Sequence, residues 1–279
     1  MDELRLVEHH RPSEADHPPQ GKRRLRLRVE YDGTDYCGWQ RQSNGPSVQQ
    51  TLEEAFEQLT GERTWVVGSS RTDAGVHARG LCAHVDTASR IPPEKMSLAL
   101  NTRLPWDIRV LSCEEAPEGF HARYSACGKI YSYTYCNQRN MCAIGRQYAA
   151  HCPLPMDLER MREAAAVLEG RHDFRAFAAS GFTASTTVRT LFRVRVTREG
   201  NLVGLHFFGD GFLYNMVRIL SGTLAEIGTG KRDAGCLSRA LESGDRLELG
   251  KTAPACALVL EHVLYRGDEP LAQAYFKGR

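Results

Sequence analysis

No stretch of this 279-residue sequence stays apolar for the roughly 18 residues a membrane helix needs. The longest run near the C-terminus, Ala255–Leu260, is broken by Glu261 and His262. A membrane span is therefore excluded, and a soluble protein is expected. Phosphate cradles are missing as well: there is no G-x-x-x-x-G-K-[ST] and no strand-coupled G-x-G-x-x-G, so neither nucleotide hydrolysis nor dinucleotide redox chemistry has its loop. A G-x-S-x-G nucleophile elbow is absent too. The nine cysteines form an odd set without a C-x-x-C pair, and no secretory leader precedes them. Reduced thiols in a cytoplasm are the expectation. The wider-spaced Cys136 and Cys142 are candidate metal ligands, but no finger-like Cys or His pair follows them, which speaks against zinc.

What is present is a globular composition. An apolar fraction of 42% fills a sizeable core and excludes a disordered chain, and the length suits about two domains. The formal charge of +2 hides an asymmetry. Residues 1–21 carry five acids and two bases, a net −3 that leaves +5 on the body, which is modestly favourable for a polyanion. With two adjacent histidines, three prolines and no apolar period, residues 1–23 read as a disordered, solvated extension.

From Arg24 the chain alternates, with Leu25, Leu27, Val29 and Tyr31 on one side and Arg24, Arg26, Arg28 and Glu30 on the other, the period of a half-buried strand. Ser47 and Gln50 then form an S-x-x-Q cap for a helix that ends at Gly61. Strands are predicted at Thr64–Val67, Gly80–Asp86 and Ile108–Cys113, with a short helix at Glu94–Leu100. A further strand, Lys129–Cys136, places Tyr131, Tyr133 and Tyr135 on one face. In the second half, Asp157 caps a helix expected to run to Gly170. Strands fit Val188–Thr197, Leu202–Phe208 and Ala257–Tyr265. An apolar helix carries Leu213 to Ile227, and a shorter one covers Ala234–Leu241. Strands outnumber helices and adjoin through short turns, so the expected class is α+β with antiparallel sheets and helices on one face. The expected division is an N-terminal α+β domain over 24–140 and a C-terminal one over 141–279, with the joint near residues 138–155.

The densest polar cluster runs from Gly68 through Ser69-Ser70-Arg71-Thr72-Asp73-Ala74-Gly75-Val76-His77 to Ala78, between two strand-like runs. Small residues let backbone approach a ligand closely, and an arginine two positions before an aspartate can hold that carboxylate ionised or meet a phosphate. An Asx-turn with a surface ion pair has the same composition. The stretch Tyr31-Asp32-Gly33-Thr34-Asp35-Tyr36-Cys37-Gly38-Trp39-Gln40-Arg41-Gln42, followed by Arg71-Thr72-Asp73-Ala74-Gly75-Val76-His77, closely resembles the tRNA pseudouridine synthase A family. Phe120-His121-Ala122-Arg123, Lys129 with Tyr131 and Tyr133, His172-Asp173-Phe174 and Phe212-Leu213-Tyr214-Asn215-Met216-Val217-Arg218 extend it in family order across residues 25–265.

The resemblance implies two ferredoxin-like halves sharing a continuous antiparallel sheet, with the catalytic cleft between them. It also implies a cofactor-free isomerisation of uridine to pseudouridine at positions 38, 39 and 40 of the tRNA anticodon stem-loop. The family's catalytic aspartate falls on Asp73, a nucleophile toward either the sugar C1′ or the base C6. Tyr131 would lie against the flipped uracil and assist proton removal from C5; a core tyrosine on a strand is the plainer alternative. Arg218 matches the arginine that pairs with the catalytic carboxylate, and its apolar neighbours Met216, Val217 and Leu220 make an unpartnered guanidinium costly. Arg71 would help evict the target base. Arg26, Arg28, Arg41, His77, His121, Arg123 and Lys129 are read as substrate-binding, largely through the RNA backbone, or else as solvated charges. His77 lies four residues after Asp73, but no third ligand accompanies it and no metal is expected. The resemblance also implies a homodimer, in keeping with a body charge of +5 that is small for one chain gripping a whole tRNA, and a cytoplasmic location is expected.

The chain departs from the family at Lys129-Ile130, where many relatives carry two basic residues. Ala179–Thr187 matches only loosely and receives no role. A catalytically silent RNA-binding protein of the same fold is the rival reading, and Asp73 together with Arg71, Tyr131 and Arg218 speaks against it, because binding alone does not need a buried carboxylate that repels phosphate. A metal-dependent phosphodiesterase would lack its paired carboxylates.

Overall fold

The computed structural model describes residue 6, residues 17–179, residue 181 and residues 185–279. Most of the expected N-terminal extension and part of the Ala179–Thr187 stretch lie outside the described residues. Leu6 is described and is not solvated: it is 5% exposed, and its N–H donates to Glu269 Oε1 at 3.1 Å.

The chain divides into two compact units, one formed by Met1–Cys127 with Leu260–Pro270 and the other by Gly128–Val259 with Leu271–Arg279. The first therefore ends before the Tyr131 strand, 13 residues ahead of the boundary expected from sequence, and takes back a segment from near the C-terminus.

In the first unit the order is β1 (Arg23–Tyr31), α1 (Val48–Thr60), β2 (Val66–Gly68), β3 (His77–Thr87), α2 (Pro93–Asn101) and β4 (Ile108–Glu115), the β-α-β-β-α-β run of a ferredoxin-like unit. Strand β1 lies between β4 and β3, antiparallel to both. Strand β2 pairs with β3, and β10 (Leu258–Leu264) is a further neighbour of β3. Burial alternates along β1 as its sequence dictates, with Leu25, Leu27 and Val29 fully buried. Arg24 departs from that alternation. It is buried because Asp86 takes its guanidinium bidentately, at 2.7 and 2.8 Å, and the Phe120 carbonyl takes a third bond at 2.7 Å. The Ser47 cap forms, its hydroxyl accepting from the Gln50 N–H, and Gly61 closes α1 in the left-handed region. The Gln50 side chain turns to Glu54 instead of completing the box.

In the second unit β5 (Gly128–Cys136), β9 (Leu202–Gly209), β8 (Val188–Glu199) and β7 (Gly170–Asp173) are neighbours in that order, all antiparallel. The two-residue β6 (Ala150–His151) pairs parallel to β5, an exception to the expected antiparallel sheet. Helix α3 (Leu158–Ala166) starts on the expected Asp157 cap but stops four residues before Gly170, which opens β7 instead. Helix α4 (Met216–Gly228) begins after Leu213, because Asn215 in the left-handed region blocks an earlier start. Helix α5 (Cys236–Ser243) follows, and α6 (Glu269–Phe276) completes the described elements.

Candidate active site

The loop Ser69–Val76 joins β2 to β3 as the turn of a hairpin. The buried Thr72 anchors it. Its Oγ1 lies 2.8 Å from the Tyr31 hydroxyl at the end of β1, and its carbonyl accepts from the Trp39 N–H at 3.2 Å. Beyond Thr72 the Asp73 carbonyl accepts from the Val76 N–H at 3.1 Å, a tight turn. Arg71 is exposed and Asp73 half-buried, so the loop carries its charges on either side of an inward anchor.

The second motif explains itself as the bed of this loop. Gly33 and Gly38 are places where one backbone presses on another: a Cβ on Gly33 would stand 2.0 Å from the Val76 carbonyl oxygen, and one on Gly38, at φ +97°, 2.3 Å from that of Thr72. Between them the Tyr36 carbonyl accepts from the Gly75 N–H, and the Tyr36 hydroxyl donates to Asp107 at 2.8 Å. Burial and that carboxylate push the Tyr36 pKa up, so the hydroxyl stays a donor. Trp39, fully inside, closes the bed with its ring centroid 6.2 Å from that of Tyr31.

His77 corrects an expectation. It is only 3% exposed, so it is not placed to meet an RNA backbone. Its Nδ1 lies 3.0 Å from both the Gly33 N–H and Asp32 Oδ1. The amide always carries its hydrogen, so Nδ1 is its acceptor; Asp32 Oδ1 receives the Thr34 N–H at 3.0 Å. His77 thereby ties the first residue of β3 to the motif loop.

The other basic residues of the first unit are more dispersed. The Arg26 guanidinium lies over the rings of Tyr265 and Phe120, 4.5 and 5.3 Å from their centroids, and 3.3 Å from Glu114. Arg28 is exposed on the same strand. Arg41 lies 3.7 Å from Glu53 and 4.0 Å from Glu54. Burial pushes the Glu53 pKa up, against bonds from the Val66 N–H, Gln49 and the charge of Arg41. His121 forms a stack: its Nδ1 accepts from the N–H groups of Arg123 and Tyr124, and its ring lies 4.2 Å from that of Tyr124, which is half exposed.

Tyr131, Lys129 and Arg218 belong to the second unit. Tyr131 lies in β5 opposite Phe207 of β9, and its ring meets Phe212 edge-on at 5.2 Å. Two residues away, Tyr133 donates to the Pro254 carbonyl, and the next tyrosine on that face, Tyr135, donates to the Ser221 carbonyl. Lys129 is half-buried opposite Gly209. Arg218, in the first turn of α4, donates from Nε to the Ala253 carbonyl at 2.8 Å and from Nη1 to Asn215 Oδ1 at 2.7 Å. Segment 253–254 thus receives both Arg218 and Tyr133.

Asn215, next to Arg218's turn of α4, carries no site assignment from its motif alone. At φ +60° it is the one positive-φ residue other than glycine among the described residues. An asparagine directly before an apolar helix is the available signal, since asparagine tolerates this region best. No group of three or more His, Cys, Asp or Glu able to hold a metal occurs among the described residues.

Comparison with known proteins agrees with these motifs. The family described as tRNA pseudouridine synthase matches residues 28–125 and 164–266. The tRNA pseudouridine synthase A of Clostridium kluyveri is 47% identical over 86% of this chain and 99% of its own. That of Acetivibrio thermocellus is 46% identical over 87% of this chain and its own full length, and tRNA pseudouridine synthase A 2 of Clostridium perfringens is 44% identical over the same shares. Among solved structures, a Cbf5-Nop10-Gar1 complex aligns with 81% of this chain and 53% of its own at 12% identity and a TM-score of 0.36, too distant a likeness to bear on fold or function.

Proposed function

Since the chain belongs to the tRNA pseudouridine synthase family, whose members are isomerases, we propose that it converts uridines 38, 39 and 40 of the tRNA anticodon stem-loop to pseudouridine through Asp73. The observation that carries this reading is the placement of Asp73 directly after the buried Thr72, in a hairpin turn held by two close backbone contacts. A nucleophile needs such fixed presentation.

The reaction moves no electrons to or from an external acceptor. The N1–C1′ bond breaks, the uracil turns, and C5 joins C1′ as the C5 proton is removed and N1 takes up a proton, so that the product is an isomer of the substrate. Asp73 forms the transient covalent bond, at C1′ or at C6, and leaves as the new glycosidic carbon bond is completed. A carboxylate suits either route, being a good leaving group that also stabilises positive character at C1′. Arg71, exposed beside it, is assigned to eviction of the base from the stem. Tyr131 is assigned to the uracil face, with its hydroxyl serving the C5 proton, and Arg218 to the countercharge for the carboxylate. The RNA backbone contacts are assigned to Arg28, Arg41, Arg123, His121 and Lys129, and the working enzyme is a cytoplasmic homodimer.

The test is incubation of pure protein with unmodified tRNA transcripts, without metal or nucleotide, followed by mapping of pseudouridine. Wild type converts the anticodon-stem uridines. Asp73→Asn folds and binds tRNA but converts none, because an amide does not attack as a carboxylate does. Binding without conversion by wild type itself would instead establish the silent RNA-binding protein.

A further inference from the structure

Cys136 ends β5 and is fully buried, whereas Cys142 is half-buried in the loop that follows. Their sulfurs are 2.7 Å apart. A disulfide measures about 2.05 Å, and non-bonded heavy atoms rest at about 3.5–4.0 Å. The pair is thus well inside ordinary contact and within about 0.7 Å of bonding distance.

The surrounding bonds hold the bend that brings them together. Cys136 is paired with Leu202 on one side and His151 on the other, and its carbonyl accepts from the Cys152 N–H at 3.0 Å. The Asn137 N–H donates to the Asn201 carbonyl at 2.7 Å, and its side-chain amide donates to the carbonyls of Cys152 and Leu154. Gln138 accepts from the Asn201 side chain at 2.6 Å while its own amide donates to Cys142 Sγ at 3.3 Å. The cost of closing the short loop from Cys136 to Cys142 is therefore largely met by the fold before any bond forms. A zinc site would need three or four ligands, and no such group occurs among the described residues.

We propose that Cys136 and Cys142 are a covalent modification site, a dithiol that closes to an intrachain disulfide by exchange with a small-molecule disulfide of the glutathione type. The partly exposed Cys142 thiolate attacks one sulfur of the reagent, whose S–S bond breaks and releases one thiolate. The Cys136 sulfur then attacks Cys142 Sγ, and the second thiolate leaves. The protein dithiol is oxidised, one small disulfide is reduced to two thiols, and the two thiol protons pass to them. The hydrogen bond between the sulfurs raises the Cys142 pKa, so exchange runs faster at alkaline pH. In a reducing compartment such a bond is transient and follows the thiol pool. The site is independent of the catalytic reading above.

The test uses the reduced full-length protein treated with oxidised glutathione at pH 8.5, blocked by alkylation and digested with trypsin. Cleavage after Lys129, Arg139 and Arg146 leaves Cys136 and Cys142 on separate peptides. The expected product is peptide 130–139 joined to peptide 140–146, cleaved by dithiothreitol. The melting temperature rises by about 5 °C on oxidation of wild type and stays unchanged in Cys142→Ser. In Cys136→Ser the second step is blocked, so Cys142 retains one glutathione. Recovery of both cysteines alkylated, a stable glutathione on each, or a link from either to Cys152 overturns the proposal.

Discussion

Gly38 and Thr72 touch backbone to backbone: the Gly38 N-terminal motif loop presses on the Thr72 carbonyl so closely that a Cβ at residue 38 would stand 2.3 Å from it. Because Thr72 directly precedes Asp73, Gly38→Ala displaces the Asp73 turn and also forces alanine to φ +97°. The expected cost is about 2–4 kcal/mol of stability. Turnover should fall further than tRNA affinity. Urea unfolding together with single-turnover assays checks both, and wild-type values for the two would show that the bed does not position the turn.

Asn215 is predicted to act through Arg218. Asn215→Gly keeps the left-handed backbone but removes the Oδ1 acceptor, whereas Asn215→Ala removes the acceptor and adds about 1 kcal/mol of backbone strain. Both variants should lose kcat to a similar degree, with only the alanine variant also losing stability. Equal kcat in Asn215→Gly and wild type would confine Asn215 to the helix start.

For His77 the prediction reverses the sequence-based expectation. His77→Ala strands the Gly33 N–H in the interior, at about 1–3 kcal/mol, and leaves the Kd for tRNA unchanged because the ring is buried. A weakened Kd with intact stability would return the residue to the RNA interface.

Glu226 carries a pH prediction. Burial opposes its ionisation, but the Lys251 N–H and the Arg232 guanidinium outweigh burial and hold its pKa below the ordinary 4.5. A carboxylate whose folded pKa is depressed contributes stability above the unfolded value and loses it as pH falls through the folded one. Urea midpoints should therefore drop below about pH 4.5, and drop less in Glu226→Gln. The same acid sensitivity in both proteins would remove Glu226 as the cause.

Local patterns were legible where one interaction decides the outcome. The alternation of Leu25, Leu27 and Val29 marks β1 because each apolar residue needs the same face buried, and Ser47 and Gly61 bound α1 because each satisfies helix-end groups. The motifs led to Asp73 and Arg71 on one turn. What stayed hidden depends on distant partners. Gly170 reads as a helix stop, yet its segment pairs with β8, and β7 shows no alternation because its residues Arg171, His172 and Asp173 are polar. Histidine and arginine types do not reveal that His77 points inward or that Arg26 lies on two rings. Pairing between segments far apart in sequence decides both.

The return of Leu260–Pro270 to the first unit sets an order of events at the ribosome. Strand β2 covers β3 only from Ala83 to Val85, and the stretch beside the Asp73 turn gains a further neighbour in β10, which is translated after β5 to β9. A nascent chain that has not reached Leu260 carries the Asp73 turn on a strand with an open edge, prone to pairing with other chains. Completion of the unit that carries Asp73 thus waits until nearly all of the polypeptide has emerged.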